Sequence, residues 1–132
     1  MVPLSFKQIT ERLKTINFPE TDIVIGIGSG GVPAATMVAY HLDAELQVMT
    51  LNYRDEQNNP RYDTPRLLQK PAWNLEGRRI LLVDDVSVSG KTMNAALEQL
   101  EGLNVKTCAM KGNADFVLFP EIKDCVKWPW KP

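Results

Sequence analysis

The sequence predicts an α/β fold in three layers, a mainly parallel β-sheet with helices on both faces, and three observations carry that expectation. Two aliphatic runs, Asp22–Ile27 and Arg79–Val83, lack the polar alternation of a half-exposed strand and read as strands buried on both faces. Each delivers the chain to a turn of small residues and then to a segment of helical period, the order of a β-turn-α unit. The chain has 132 residues, 44% of them hydrophobic, enough for one core and too few for two. One domain spanning 1–132 is expected, with four or five strands and with ligands lying across their carboxyl ends.

Taken in order, Ser5-Phe6-Lys7-Gln8 has the form of a capping box. Phe6, Ile9, Leu13 and Ile16 then recur at spacings of three and four, so an amphipathic helix runs to about Thr15. Pro19 closes that region. The first buried strand, Asp22–Ile27, leads into Gly28-Ser29-Gly30-Gly31, and Pro33 followed by Ala34–Leu42 makes a second helix. Leu46–Leu51 is the next strand and ends at Asn52. Residues 53–74 are polar, carry Pro60, Pro65 and Pro71, and are too many for a plain connection. Arg79–Val83 is followed by Asp84 and Asp85, by the small-residue stretch Val86–Thr92, and by a helix with Met93, Ala96, Leu97 and Leu100 on one face. Asn104–Met110 reads as a further strand, with Lys111-Gly112-Asn113 directly after it.

Composition narrows the class of partner. The formal net charge is −1, and Lys and Arg form no stripe, so binding to nucleic acid or membrane through bulk charge is not expected, and small molecules are. Cys108 and Cys125 make no CxxC pair and have no histidine close by, which suits reduced thiols in the cytoplasm. The single His41 sits near a helix end as a surface or capping residue. Met1–Ser5 lacks the charged and apolar regions of a secretion signal, and no apolar run approaches membrane-spanning length. A cytoplasmic protein is expected.

The chemistry concentrates at Ile80–Met93. Asp84 and Asp85 repel each other, so a fold that seats both at a strand end must supply hydroxyl donors or a cation, or raise one pKa. The loop beyond them, opening a helix N-terminus, gathers unpaired backbone N–H groups and the positive end of a helix dipole, a fit for phosphate. Two acids beside a phosphate cradle describe ribose 5-phosphate. Ser89-Gly90-Lys91-Thr92 has the ending of a P-loop, but that motif needs glycine where Asp85 stands. Gly26, Gly28 and Gly31 match GxGxxG, yet the acid a dinucleotide fold wants at the end of the next strand is Asn52. A plain acidic turn with a helix capped by Ser89 is the remaining reading.

Ile80–Met93 resembles the phosphoribosyl-pyrophosphate (PRPP) signature of type I phosphoribosyltransferases, and purine-specific xanthine–guanine and hypoxanthine members in particular. That resemblance implies a phosphoribosyltransferase that moves the 5-phosphoribosyl group from PRPP to a nucleobase, with Mg²⁺, releasing pyrophosphate. By that likeness Asp84 and Asp85 are the catalytic acids, hold the ribose hydroxyls and bear indirectly on the metal. Val86, Ser87, Val88, Ser89, Gly90, Lys91 and Thr92 wrap the 5-phosphate, and Gly28, Ser29 and Gly30 form the pyrophosphate loop. Residues 53–74 correspond to a mobile loop that closes over substrate, with Tyr53 and Arg54 near its start and Arg54, Arg61 or Arg66 as candidate cations. Residues 112–132 correspond to a C-terminal hood over the base, where Lys111 reads the purine 6-oxygen and Val126 offers its backbone. Trp128 and Trp130 either touch ligand or anchor the tail. Family members are commonly dimers or tetramers, so a homo-oligomer is implied.

Two positions depart from the pattern. Ser29 stands where relatives often carry Arg or Lys, and Val88 stands where purine transferases place a further acid. Three accounts are open: a base acidic enough to need little help, such as xanthine or orotate; a lid residue that supplies the missing function; or a regulatory protein that binds PRPP or a nucleotide without turnover.

Overall fold

The computed structural model describes residues 1–52, 66–69 and 74–131. In chain order these form β1 (Val2–Pro3), α1 (Phe6–Leu13), β2 (Ile23–Gly28), α2 (Val32–Leu42), β3 (Glu45–Asn52), β4 (Arg66–Gln69), β5 (Arg79–Ser87), α3 (Lys91–Gln99), β6 (Asn104–Gly112), β7 (Phe116–Val117) and β8 (Val126–Lys127). The main sheet has six strands in the order β4-β3-β2-β5-β6-β7. Only β4, on the edge, runs antiparallel. The sheet is thus wider than the four or five strands expected. The additions are β4, which falls inside residues 53–74, and β7, which falls inside the expected hood. Both are short edge strands held by their neighbour's backbone, which side-chain periodicity does not report.

The apolar runs behave as their composition requires. Every residue of β2 is buried, and alternate residues of β5 enter separate cores. Leu81 and Val83 pack with Ile9 and Leu13 of α1, Ala34, Ala35 and Val38 of α2, and Leu118, Phe119 and Trp128 of the C-terminal segment. Ile80 and Leu82 pack with Met93, Ala96 and Leu100 around α3. Helices therefore cover both faces.

Residues 118–131 are fastened to α1 and β1. Arg12 makes two hydrogen bonds to Glu121, at 3.0 and 2.7 Å, donates to the Leu118 carbonyl, and lies 4.5 Å over the Phe119 ring. Beside it β8 pairs in parallel with β1, Val2 opposite Val126. Trp128 is buried and stacks on Trp130 with ring centroids 5.2 Å apart and planes within 3°. Trp130 also meets Phe6. Of the two open readings for these tryptophans, the contacts are those of an anchor.

Candidate functional site

Strand β5 does not stop at Val83. It continues through Asp84 and Asp85 to Ser87 because β6 runs on beside it, Asp84 opposite Ala109, Val86 opposite Lys111 and Ser87 opposite Gly112. Backbone pairing is indifferent to side-chain charge, so an apolar run marks the buried part of a strand and not its end. The two acids consequently lie within the carboxyl end of the strand, and both are buried, at 7% and 9% exposure. An Asp84 Oδ1 accepts from the Asp85 N–H and an Asp85 Oδ1 from the Val86 N–H, each at 2.8 Å. Burial first, and the adjacent Asp85 charge second, push the Asp84 carboxyl up to about 8. The conflict of neighbouring charges is thus met by keeping one of them protonated near neutrality.

The glycine loop after β2 lies directly against these acids. A Cβ on Gly31 would sit 2.7 Å from Asp84 Oδ1 and 2.6 Å from the Ile27 carbonyl oxygen, and one on Gly30 would meet Asp85 Oδ2 at 3.5 Å. Only glycine fits at position 31, and the backbone there touches what a side chain elsewhere would cover. Gly28 is buried at the end of β2, joined to the exposed Ser29 by a cis peptide bond. Of the three expected loop residues, Gly30 is the one against the acid pair; a Cβ on Gly28 would instead meet Thr50, Val48 and Val32.

The two helices that begin here start on glycine N-caps, and their first N–H groups are partnered: the Val32 N–H donates to the Ser29 carbonyl at 3.3 Å, and the Lys91 N–H to the Ser89 hydroxyl. α2 starts after Gly31 and α3 after Gly90, which is at φ 81°, and neither cap residue makes a side-chain hydrogen bond. Ser89 lies one residue before the N-cap Gly90, and its hydroxyl accepts from the Lys91 N–H, the first of α3, at 3.3 Å. By contrast α1, whose N-terminus belongs to no glycine loop, carries the full reciprocal capping box of Ser5 and Gln8. The positive ends of two helices beside an acid pair suit an anion accompanied by hydroxyls or a cation. Along the loop into α3, Val86 is half-buried, Ser87 is buried, Val88, Ser89 and Lys91 are exposed, and Thr92 is half-buried at the second helical position.

Strand β6 brings Lys111 beside Val86, and the next two residues clamp the loop. Gly112 is at φ 104°, and a Cβ there would lie 2.2 Å from the Ser87 carbonyl oxygen. The Asn113 N–H donates to that same oxygen at 2.7 Å, and its side-chain amide reaches the Val88 carbonyl at 3.5 Å. In the tail, Val2 and Leu4 N–H donate to the carbonyls of Cys125 and Lys127, on either side of Val126. The polar backbone of Val126 is therefore turned to the other edge of β8. Cys125 is exposed. Tyr53, Arg54 and Arg61, like most of 53–74, lie outside the described residues; Arg66 falls in β4, its side chain outside them.

Sequence reasoning missed two contributors. One is the Gly112-Asn113 clamp, for which a glycine at a strand end was the available signal. The other is Lys131, whose Nζ stands 3.6 Å from Asp85 Oδ2 and for which no local pattern existed. Among the described residues no cluster of three or more His, Cys, Asp or Glu could hold a metal. A two-carboxylate donor set still fits magnesium, which takes its other ligands from substrate oxygens and water.

A family model described as phosphoribosyl transferase domain matches residues 2–113. Over 98 residues the chain is 31% identical to the protein named transcriptional regulator GfcR 2 of Methanosarcina acetivorans, covering 74% of this chain and 46% of that protein. It is also 31% identical over 88 residues to the orotate phosphoribosyltransferase of Sulfurisphaera tokodaii, covering 67% of this chain and 39% of that protein. The chain thus spans less than half the length of either curated relative. Among solved structures, the purine phosphoribosyltransferase of Pyrococcus horikoshii superposes with a TM-score of 0.79 at 22% identity, over 99% of this chain and 94% of that one, a likeness of fold.

Proposed function

Because the chain belongs to the phosphoribosyl transferase domain family, we propose that it transfers the 5-phosphoribosyl group of PRPP to a nucleobase, a purine such as xanthine, guanine or hypoxanthine, and releases pyrophosphate. The observation that carries this reading is the close approach of the Gly30-Gly31 backbone to the carboxyl groups of Asp85 and Asp84, where α2 and α3 each begin on a glycine N-cap. It unites a place for a leaving pyrophosphate, a place for ribose hydroxyls and a place for the 5-phosphate.

In the reaction a ring nitrogen of the base forms a bond to C1 of the sugar and gives up its proton to water, while the bond from C1 to the pyrophosphate oxygen breaks and its electron pair leaves with pyrophosphate. Asp84 and Asp85 orient the ribose through its hydroxyls. Backbone N–H groups from Ser87 to Thr92, with the Ser89 and Thr92 hydroxyls, hold the 5-phosphate. Gly28, Ser29 and Gly30 present the loop backbone to the departing pyrophosphate. Lys111 and the Val126 backbone, on β6 and β8, read the base. A Mg²⁺ ion brought with PRPP would be held by substrate oxygens and, through the ribose or water, by Asp84 and Asp85, and would offset charge on the pyrophosphate.

Incubation with PRPP, Mg²⁺ and each of xanthine, hypoxanthine, guanine, adenine, uracil and orotate tests the reading. A purine is expected to give pyrophosphate and the matching nucleotide. Silence from every base, with PRPP still raising the melting temperature, would favour a second reading, a regulatory protein that senses PRPP or a nucleotide. That reading is supported by Val88 and Ser29 and by the regulators among the sequence relatives.

A further inference from the structure

The pyrophosphate loop carries no cation of its own, since Ser29 occupies the place. We infer that Lys131, from the C-terminal tail, is the cation that receives the pyrophosphate end of the substrate. This rests on the phosphoribosyl-transfer reading and adds a ligand-binding residue to it.

Three observations carry the inference. First, Lys131 Nζ lies 3.6 Å from Asp85 Oδ2, and that same oxygen is the one a Cβ on Gly30 would meet at 3.5 Å. The ammonium therefore stands at the seam between acid and glycine loop, where a diphosphate beside the ribose must run. Second, 3.6 Å is an ion-pair distance and longer than a hydrogen bond. All three ammonium donors are left for another acceptor, and phosphate oxygens are the stronger ones. Third, the position is built into the fold and is not a chance of a long side chain. The Lys131 N–H donates to the Trp128 carbonyl at 3.2 Å, Trp128 is buried and stacked on Trp130, and β8 just before it is paired with β1. Among the described residues Asp85 has no other ion-pair partner.

Once the ligand's own hydroxyls and metal satisfy Asp85, the ammonium is released from the carboxylate toward the incoming phosphates. The arrangement supplies from the tail the charge that the loop lacks.

The test compares wild type, Lys131→Ala and Lys131→Arg by calorimetric titration with three probes: PRPP, inorganic pyrophosphate with Mg²⁺, and ribose 5-phosphate. The inference expects Lys131→Ala to weaken PRPP and pyrophosphate by roughly tenfold or more, the loss of one charged hydrogen bond, to leave ribose 5-phosphate unchanged, and to be largely rescued in Lys131→Arg. Equal weakening of all three probes, or no change in any, overturns it. Tighter binding of PRPP by Lys131→Ala also overturns it, because Lys131 would then be a competitor for Asp85. Wild type that binds none of the probes defeats the underlying reading of the site, an outcome distinct from any of these.

Discussion

Replacing Asp84 with asparagine is expected to stabilise the ligand-free protein at alkaline pH and, on the proposed function, to weaken its hold on the ribose of PRPP. The carboxyl is buried and pushed up to about 8 by that burial and then by Asp85, whereas in the unfolded chain an aspartate titrates near ~3.9. From roughly pH 4 to 8 the folded state thus binds more protons than the unfolded one, and stability falls as pH rises through that window. The penalty is absent below the unfolded value and fully present above the folded one. At about 1.4 kcal/mol per tenfold change in proton affinity, it is bounded at roughly 6 kcal/mol. Asparagine carries no charge, and its oxygen can still accept from the Asp85 N–H that Asp84 accepts at 2.8 Å. Urea midpoints for both proteins from pH 5 to 9, in EDTA, isolate the effect. Asp22 and Glu121 are held down at about 2 by Arg79 and Arg12 and titrate below the range, while Cys108, pushed up to about 12 by burial, lowers stability above roughly pH 8.5 as the unfolded thiol ionises, equally in both proteins, so that it cancels in their difference. The stability of Asp84→Asn over wild type should grow by several kcal/mol across the series. A gap of constant size, or one that shrinks toward alkaline pH, would refute the account of the pair.

Gly112→Ala combines a positive φ with a Cβ 2.2 Å from the Ser87 carbonyl oxygen, so a loss of roughly 2–4 kcal/mol is expected; calorimetric melting checks it, and an unshifted transition would deny the clamp. Removing the capping box with Ser5→Ala and Gln8→Ala should lower stability by about 1–2 kcal/mol by urea denaturation and, on the proposed function, leave PRPP affinity as it was. In native protein a thiol reagent should modify the exposed Cys125 quickly and reach the buried Cys108 only on unfolding; two fast thiols would contradict the packing of β6.

What was legible in the sequence was local. The Ser5 and Gln8 box, the 3.6-residue stripe of α1, the aliphatic runs of β2 and β5 and the small-residue loops each write their structure into adjacent residues. The acid pair and both loops could be named for the same reason, and the contact between them depends on β2 and β5 being neighbours in a parallel sheet. What was hidden depends on remote partners. Two-residue strands such as β1 and β8 have no pattern of their own and exist because each pairs with the other. The end of β5 was set by β6, not by the polarity of Asp84 and Asp85. Lys131 was invisible because its place is fixed by Trp128 and by strand pairing at the opposite end of the chain.

The Ser87 carbonyl is crowded by Gly112 and bonded to Asn113, so the loop leading into α3 and the strand carrying Lys111 share one joint. Neither can shift alone. On the proposed phosphoribosyl-transfer reading, occupancy at the loop is expected to be felt beside Lys111 as heterotropic cooperativity, and thermodynamic reciprocity requires the coupling to be equal in both directions. Selectivity for the acceptor is on this view partly an attribute of how the donor is seated, and exchanging side chains around the acceptor will retune both.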